Sequence, residues 1–132
     1  MTMLHVSDED FEVMVAEAIG KLPESRIKGL QNVAIVYADT PTNEQRKKLK
    51  LRGSQSLYGL YEGIPLTKRA AASSLFSDNP MTLPDVITIF KKPILANSDS
   101  MQEAREQVNK TLWHEIAHYY GLDHEQIDKL GG

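Results

Sequence analysis

A chain of 132 residues, 41% hydrophobic and 25% charged, is long enough to bury one core and has the balance of an ordinary globular domain. A formal net charge of -3 gives no general pull toward nucleic acid or an anionic membrane, so neither is expected as a partner. Cysteine is absent, which excludes disulfides and thiolate ligands and leaves His, Asp and Glu for any metal site.

Asp8, Glu9 and Asp10 follow closely on Met1, with no basic region leading into an apolar run. That pattern argues against a signal peptide, and no stretch approaches membrane-spanning length, so a cytoplasmic location is the default expectation. Residues 7–20 read as a first helix. Ser7 is its N-cap, acidic residues fill its first turn, and Phe11, Val15, Ala18 and Ile19 form an apolar stripe closed by Gly20 and Pro23. The run Asn32-Val-Ala-Ile-Val-Tyr-Ala38 has the length of a strand and the continuous apolar character of one covered on both faces.

Gln45 to Arg52 is a local basic cluster without interleaved aromatics, which reads as a solvated helical turn or loop rather than a nucleic-acid patch. Leu57 to Gly63 alternates as a strand does, and Gly59 within it permits close backbone approach. Residues 68–80 are small and polar and read as a loop or short surface helix. Asp85 to Phe90 is a β-branched run of strand type, followed by Pro93. No repeat or linker divides the chain, so residues 1–132 are expected to form a single domain.

The last helix is expected over 101–120, with Ser100 and Glu103 as a capping box and Asp99 adding negative charge at the same end. Val108, Leu112, Trp113, Ile116, Ala117 and Tyr120 fall on one broad arc, while Gln107, Thr111, His114 and His118 fall on the opposite side. One face is for the core, and the other carries the chemistry.

That chemistry lies in His114-Glu-Ile-Ala-His-Tyr-Tyr-Gly-Leu-Asp-His124, which reads H-E-x-x-H-x-x-G-x-x-H. Shuffling a chain of this composition yields the extended pattern roughly once in fifty thousand trials, so histidines scattered on a polar helix face are the weaker reading. His114 and His118 stand one turn apart on one face and suit a single divalent metal. Glu115, about 100° around from His114, addresses a water at the metal rather than the metal itself. Gly121 suits the left-handed residue that ends a helix and lets His124 return as a third ligand, with Asp123 beside it as an oxygen alternative. Three imidazoles leave an open position, the arrangement of a catalytic zinc rather than a structural one. Glu115 is the expected general base, taking a proton from water and passing it to the leaving amine. Glu125 and Asp128 are possible hydrogen-bond partners for a ligand imidazole. Tyr58, Tyr61 and Tyr119 are oxyanion-donor candidates that no spacing rule separates, and His5 is expected to be a satisfied or solvated histidine near the terminus.

Three segments carry a family resemblance: Leu57-Tyr-Gly-Leu-Tyr-Glu-Gly-Ile-Pro-Leu66, Leu83-Pro-Asp-Val-Ile-Thr-Ile-Phe90 and the motif at 114–124. With the opening helix and the Asn32-Val33 strand, nearly the whole chain resembles the minimal zincin-like metallopeptidases of bacteria, or minizincins. The resemblance implies an α+β zincin-like fold, with a backing helix and a small mixed sheet packed on the C-terminal H-E-x-x-H helix. It also implies His114 and His118 as ligands and Glu115 as the base. In that family an acidic residue often stands where this chain has His124, the histidine expected of metzincins. Only eight residues follow His124, too few for a methionine turn, and Met81 and Met101 both precede the motif.

The expected activity is therefore zinc-dependent hydrolysis of peptide bonds in a peptide or protein substrate, with one Zn2+ per chain. Three readings compete with it: a non-catalytic zinc-binding interaction module, a regulatory protease with one protein target docked through residues 46–52, and a structural zinc site. Intact Glu115 argues against the binding module, and the open coordination position against structural zinc.

Overall fold

A computed structural model describes residues 4–48, 57–63 and 84–121. The expectations for residues 49–52, 68–80 and everything from Leu122 onward fall outside the described residues.

The first helix, α1 (Asp8–Lys21), starts where its cap predicts, with Ser7 Oγ accepting the Asp10 N–H at 3.1 Å and acidic residues in the first turn. It runs through Gly20 to Lys21, and Pro23 then leads into a single turn, α2 (Glu24–Ile27). Strand β1 (Val33–Ala38) follows, then α3 (Asn43–Lys48). A reciprocal cap starts α3: Gln45 N–H donates to Thr42 Oγ1 at 3.1 Å, and Thr42 N–H donates to Gln45 Oε1 at 2.9 Å. The described part of the basic cluster is thus a short helical segment, as its composition suggests.

Strands β2 (Gly59–Glu62) and β3 (Asp85–Phe90) complete a mixed sheet of order β1-β3-β2. β1 lies parallel to β3, pairing Ile35 with Ile87, and β2 lies antiparallel to it, pairing Tyr61 with Ile87. This order corrects the reading of β1 as a strand covered on both faces. Its residues are half-buried or exposed, and Val36 is 42% exposed, because among the described residues β1 stands at an edge. β3 takes the central place instead, with Ile87, Ile89 and Phe90 fully buried.

A short helix, α4 (Lys91–Ala96), continues directly from β3, and the sequence reading had no helix there. Pro93 sits in its first turn, where the missing N–H costs no intrahelical bond. The long helix α5 (Met101–Tyr119) is capped by Ser100 Oγ, which accepts the Glu103 N–H at 3.2 Å, while Glu103 Oε2 accepts the Asp99 N–H at 2.7 Å. The capping box therefore closes one residue earlier than its usual form.

One sheet face, carrying Ile35, Ile87, Ile89 and Tyr61, packs on the helices. Phe11, Met14, Val15 and Ala18 of α1 meet Ala104, Val108, Leu112, Ile116 and Ala117 of α5 in the same cluster. The molecule is thus a small α+β structure with α1 backing the helix that bears His114, Glu115 and His118, and with β2 and β3 lying over that helix.

β2 reaches α5 closely because Gly59 has no side chain. A Cβ there would stand 2.5 Å from Thr111 Cγ2 and 3.2 Å from Glu115 Cγ and from Thr88 O. Gly59→Ala should destabilise the chain by about 1–3 kcal/mol, the usual range for overpacking a closed site. Thr111→Ser in the same chain removes the nearest carbon and should restore part of that loss. A double-mutant cycle by chemical denaturation checks this, and strictly additive effects would refute the contact.

Candidate metal centre

His114, Glu115 and His118 come together as the spacing predicts. One ligand atom from each lies within 4.8 Å of the others, and the two imidazole centroids are 4.7 Å apart with planes inclined at 74°. Both histidines are half-buried, and Glu115 is 7% exposed. Two imidazoles facing each other, with a carboxylate beside them, form a group whose nitrogen donors suit a borderline divalent cation such as zinc.

The helix that carries them is fixed at both ends. Its start is held by the Ser100 cap. Near its end, Tyr119 is fully buried, with its hydroxyl accepting the Gln31 N–H at 3.1 Å and donating to Gly29 O at 3.3 Å. The Tyr120 hydroxyl donates to Arg26 O. Gly121 then takes φ 81, the left-handed conformation expected of it, and its N–H donates to His118 O at 2.9 Å. His124 and its alternative Asp123 lie beyond this turn, outside the described residues, as do Glu125 and Asp128.

α5 has a third face that the two-faced reading of the sequence missed. Thr111, Glu115 and Tyr119 recur every four residues, and all are buried. Thr111 and Glu115 lie under Gly59, while Tyr61 stands edge-on to Tyr119 with centroids 6.1 Å apart. The Tyr61 backbone N–H donates to the Glu115 carboxylate, and the Tyr61 hydroxyl donates to Asp85 Oδ2 at 2.6 Å. Asp85 is itself 6% exposed at the start of β3. Burial pushes the Glu115 carboxyl from its ordinary 4.5 up to about 7, against the Tyr61 N–H, which favours the charged form.

Beside the histidines lies a cleft of about 310 Å³, lined by Leu57, Tyr58, Gly59, Gln107, Lys110, Thr111, His114 and Glu115. Gln107 Nε2 donates to Thr111 Oγ1 at 3.0 Å on its helical wall. Of the three tyrosines considered as oxyanion donors, Tyr58 lines the cleft, whereas the hydroxyls of Tyr61 and Tyr119 are engaged with Asp85 and the 29–31 segment. Lys110 escaped the sequence reading, although its spacing of four from His114 was the signal that places it on the same stripe. The role of the Tyr61 N–H had no side-chain signature to read.

The family model described as zincin-like metallopeptidase matches residues 30–132 of this chain. Among solved structures, a conserved hypothetical protein of T. thermophilus is similar in fold, with a TM-score of 0.53 and 17% identity over 96% of this chain and 98% of that one. No curated protein matches the chain.

The raised Glu115 carboxyl makes a signed prediction for the metal-free protein. Folded Glu115 holds its proton up to about pH 7, whereas the unfolded group releases it near 4.5. Folded protein thus binds more protons in that window, and stability falls as pH rises through it. Glu115→Gln should abolish this slope and be the more stable form above pH 7, by on the order of 2–3 kcal/mol. Denaturation of chelator-treated wild type and variant from pH 4 to 8 measures the difference directly, and parallel curves would disprove it.

Proposed function

The chain belongs to the zincin-like metallopeptidase family, and from that premise we propose that it is a zinc-dependent peptidase. The observation that carries the reading is the convergence of His114, Glu115 and His118 within 4.8 Å, with His114 and the buried Glu115 in the wall of a cleft. His114 and His118 would hold the metal, and the spacing of the motif favours His124 over Asp123 as the third ligand. One zinc ion per chain supplies Lewis acidity, which activates water near neutral pH and polarises a carbonyl.

The rest of the work falls to the chain's own residues. Glu115 takes the proton of the attacking water and delivers it to the leaving amine. The Tyr61 N–H orients the carboxylate and favours its ionised form; a cation held by the histidines would favour that form further. Among the described residues β2 is an edge strand, and Tyr58 and Gly59 at its start line the cleft. An extended peptide can pair with that edge and lie across the histidines. The substrate is thus a peptide or an extended protein segment rather than nucleic acid or lipid. Among the described residues no helix is long and apolar enough to cross a membrane, and action in the cytoplasm is part of the proposal.

Glu115→Gln should keep about one zinc per chain while peptide cleavage falls by roughly 10²–10⁴-fold, the usual contribution of a general base. His118→Ala should lose the metal as well as the activity. Metal analysis of the purified variants, alongside cleavage of a broad peptide library, checks both. Zinc-loaded wild type that cuts nothing in the library would refute the peptidase reading, and a chain that binds no zinc would refute the metal site.

A further inference from the structure

Glu115 is the acidic residue of the cleft, and Lys110 is the cation on its wall, one turn ahead of His114 and about 6 Å from it along the axis. Lys110, His114 and His118 stand at successive intervals of four, which puts the exposed Lys110 on the same helical stripe as the two imidazoles. Glu106, the carboxylate best placed to neutralise it within the helix, instead accepts the Gln102 amide at 3.1 Å. Among the described residues Lys110 forms no ion pair, while Lys91 does so with Asp8 at 2.7 Å.

Lys110 also lines a second cavity of about 280 Å³, between the end of α1, α2 and α5. Lys21, Arg26 and Asn109 border that cavity, Trp113 forms part of its wall, and no carboxylate lines it among the described residues. The Arg26 guanidinium carbon sits 3.9 Å from the Trp113 ring centroid. The buried Trp113 indole N–H has no hydrogen-bond acceptor among the described residues. In a chain of net charge -3, two adjoining hollows therefore share a cation, and the second carries more.

We infer that the cleft selects peptides with a carboxylate side chain beside the scissile bond, and that Lys110 is the residue that reads it. The inference rests on the peptidase reading above and names its substrate class. The lysine stem spans the distance from the helix to a substrate side chain, and Lys21 and Arg26 extend the positive potential for a second acidic residue farther along. A neutral isostere at the same position leaves the ammonium without its partner.

The test uses zinc-loaded full chain and peptides that differ only in Asp or Glu against Asn or Gln beside the cleaved bond. Acidic peptides should be cut roughly tenfold better in kcat/KM, the scale of one partly exposed charge-assisted hydrogen bond. Lys110→Ala should remove the preference, Lys110→Glu should invert it, and high salt should shrink it in the wild type. Zinc content and circular dichroism establish that the variants are folded, and Lys110→Gln replaces Lys110→Glu if the latter is not. Binding of the same peptides to Glu115→Gln, followed through Trp113 as the chain's one tryptophan, reads selectivity without turnover. Equal handling of acid and amide peptides in both assays overturns the inference and leaves the peptidase reading standing. Discrimination in binding with nothing cleaved keeps the acidic site and overturns the peptidase reading. Absence of both cleavage and discrimination overturns both.

Discussion

A strand and a helix approach this closely only where one of them gives up a side chain, and at Gly59 the strand does so. Thr111 and Glu115 occupy the space a Cβ would take. That contact turns the second residue of the H-E-x-x-H motif, which on an isolated helix would be a solvated glutamate, into a buried carboxylate with a backbone donor. It also places the start of β2 along one wall of the cleft and the helical stripe of Gln107, Lys110 and His114 along the other. A larger residue at position 59 would push the walls apart, and the burial, the hydrogen bond and the cleft would change together.

The close contact is useful only if the helix cannot slide or rotate, and the chain fixes it by separate means along its length. The Ser100 and Glu103 caps fix the start. The apolar arc from Ala104 to Ala117 fixes the rotation, because packing against α1 leaves the histidines on the opposite side. Tyr119 and Tyr120 fix the end by bonding to backbone groups between Arg26 and Gln31, some ninety residues earlier in the chain. A site held on a helix restrained in this way is preorganised by packing.

Much of this was legible in the sequence, for a physical reason: helix capping and helical periodicity are local rules. Ser7, Ser100 and Glu103 marked two helix starts, and the interval between His114 and His118 put both imidazoles on one helix face before any fold was known. What was not legible depended on tertiary order. β1 and β3 are both apolar runs, and only the pairing order shows that β3 is central while β1 stands at an edge with Val36 exposed. Helix α4 was hidden because Pro93 suggests an ending when read alone, yet is compatible with a first turn. The tyrosines were equivalent in sequence, and only their distant partners separate Tyr58, at the cleft, from Tyr61 and Tyr119, whose hydroxyls are engaged.

Burial of Glu115 would act in two opposed ways, depending on whether a cation sits beside it. Without a cation nearby, desolvation favours the neutral acid up to about pH 7, a form that accepts no proton. Were a divalent charge held by His114 and His118, as proposed, the same low-dielectric surroundings would strengthen the attraction and favour the carboxylate. On that proposal, the strand that buries Glu115 would make its ionisation depend on metal occupancy. The coupling follows from the position of Gly59 relative to the helix and requires no additional residue.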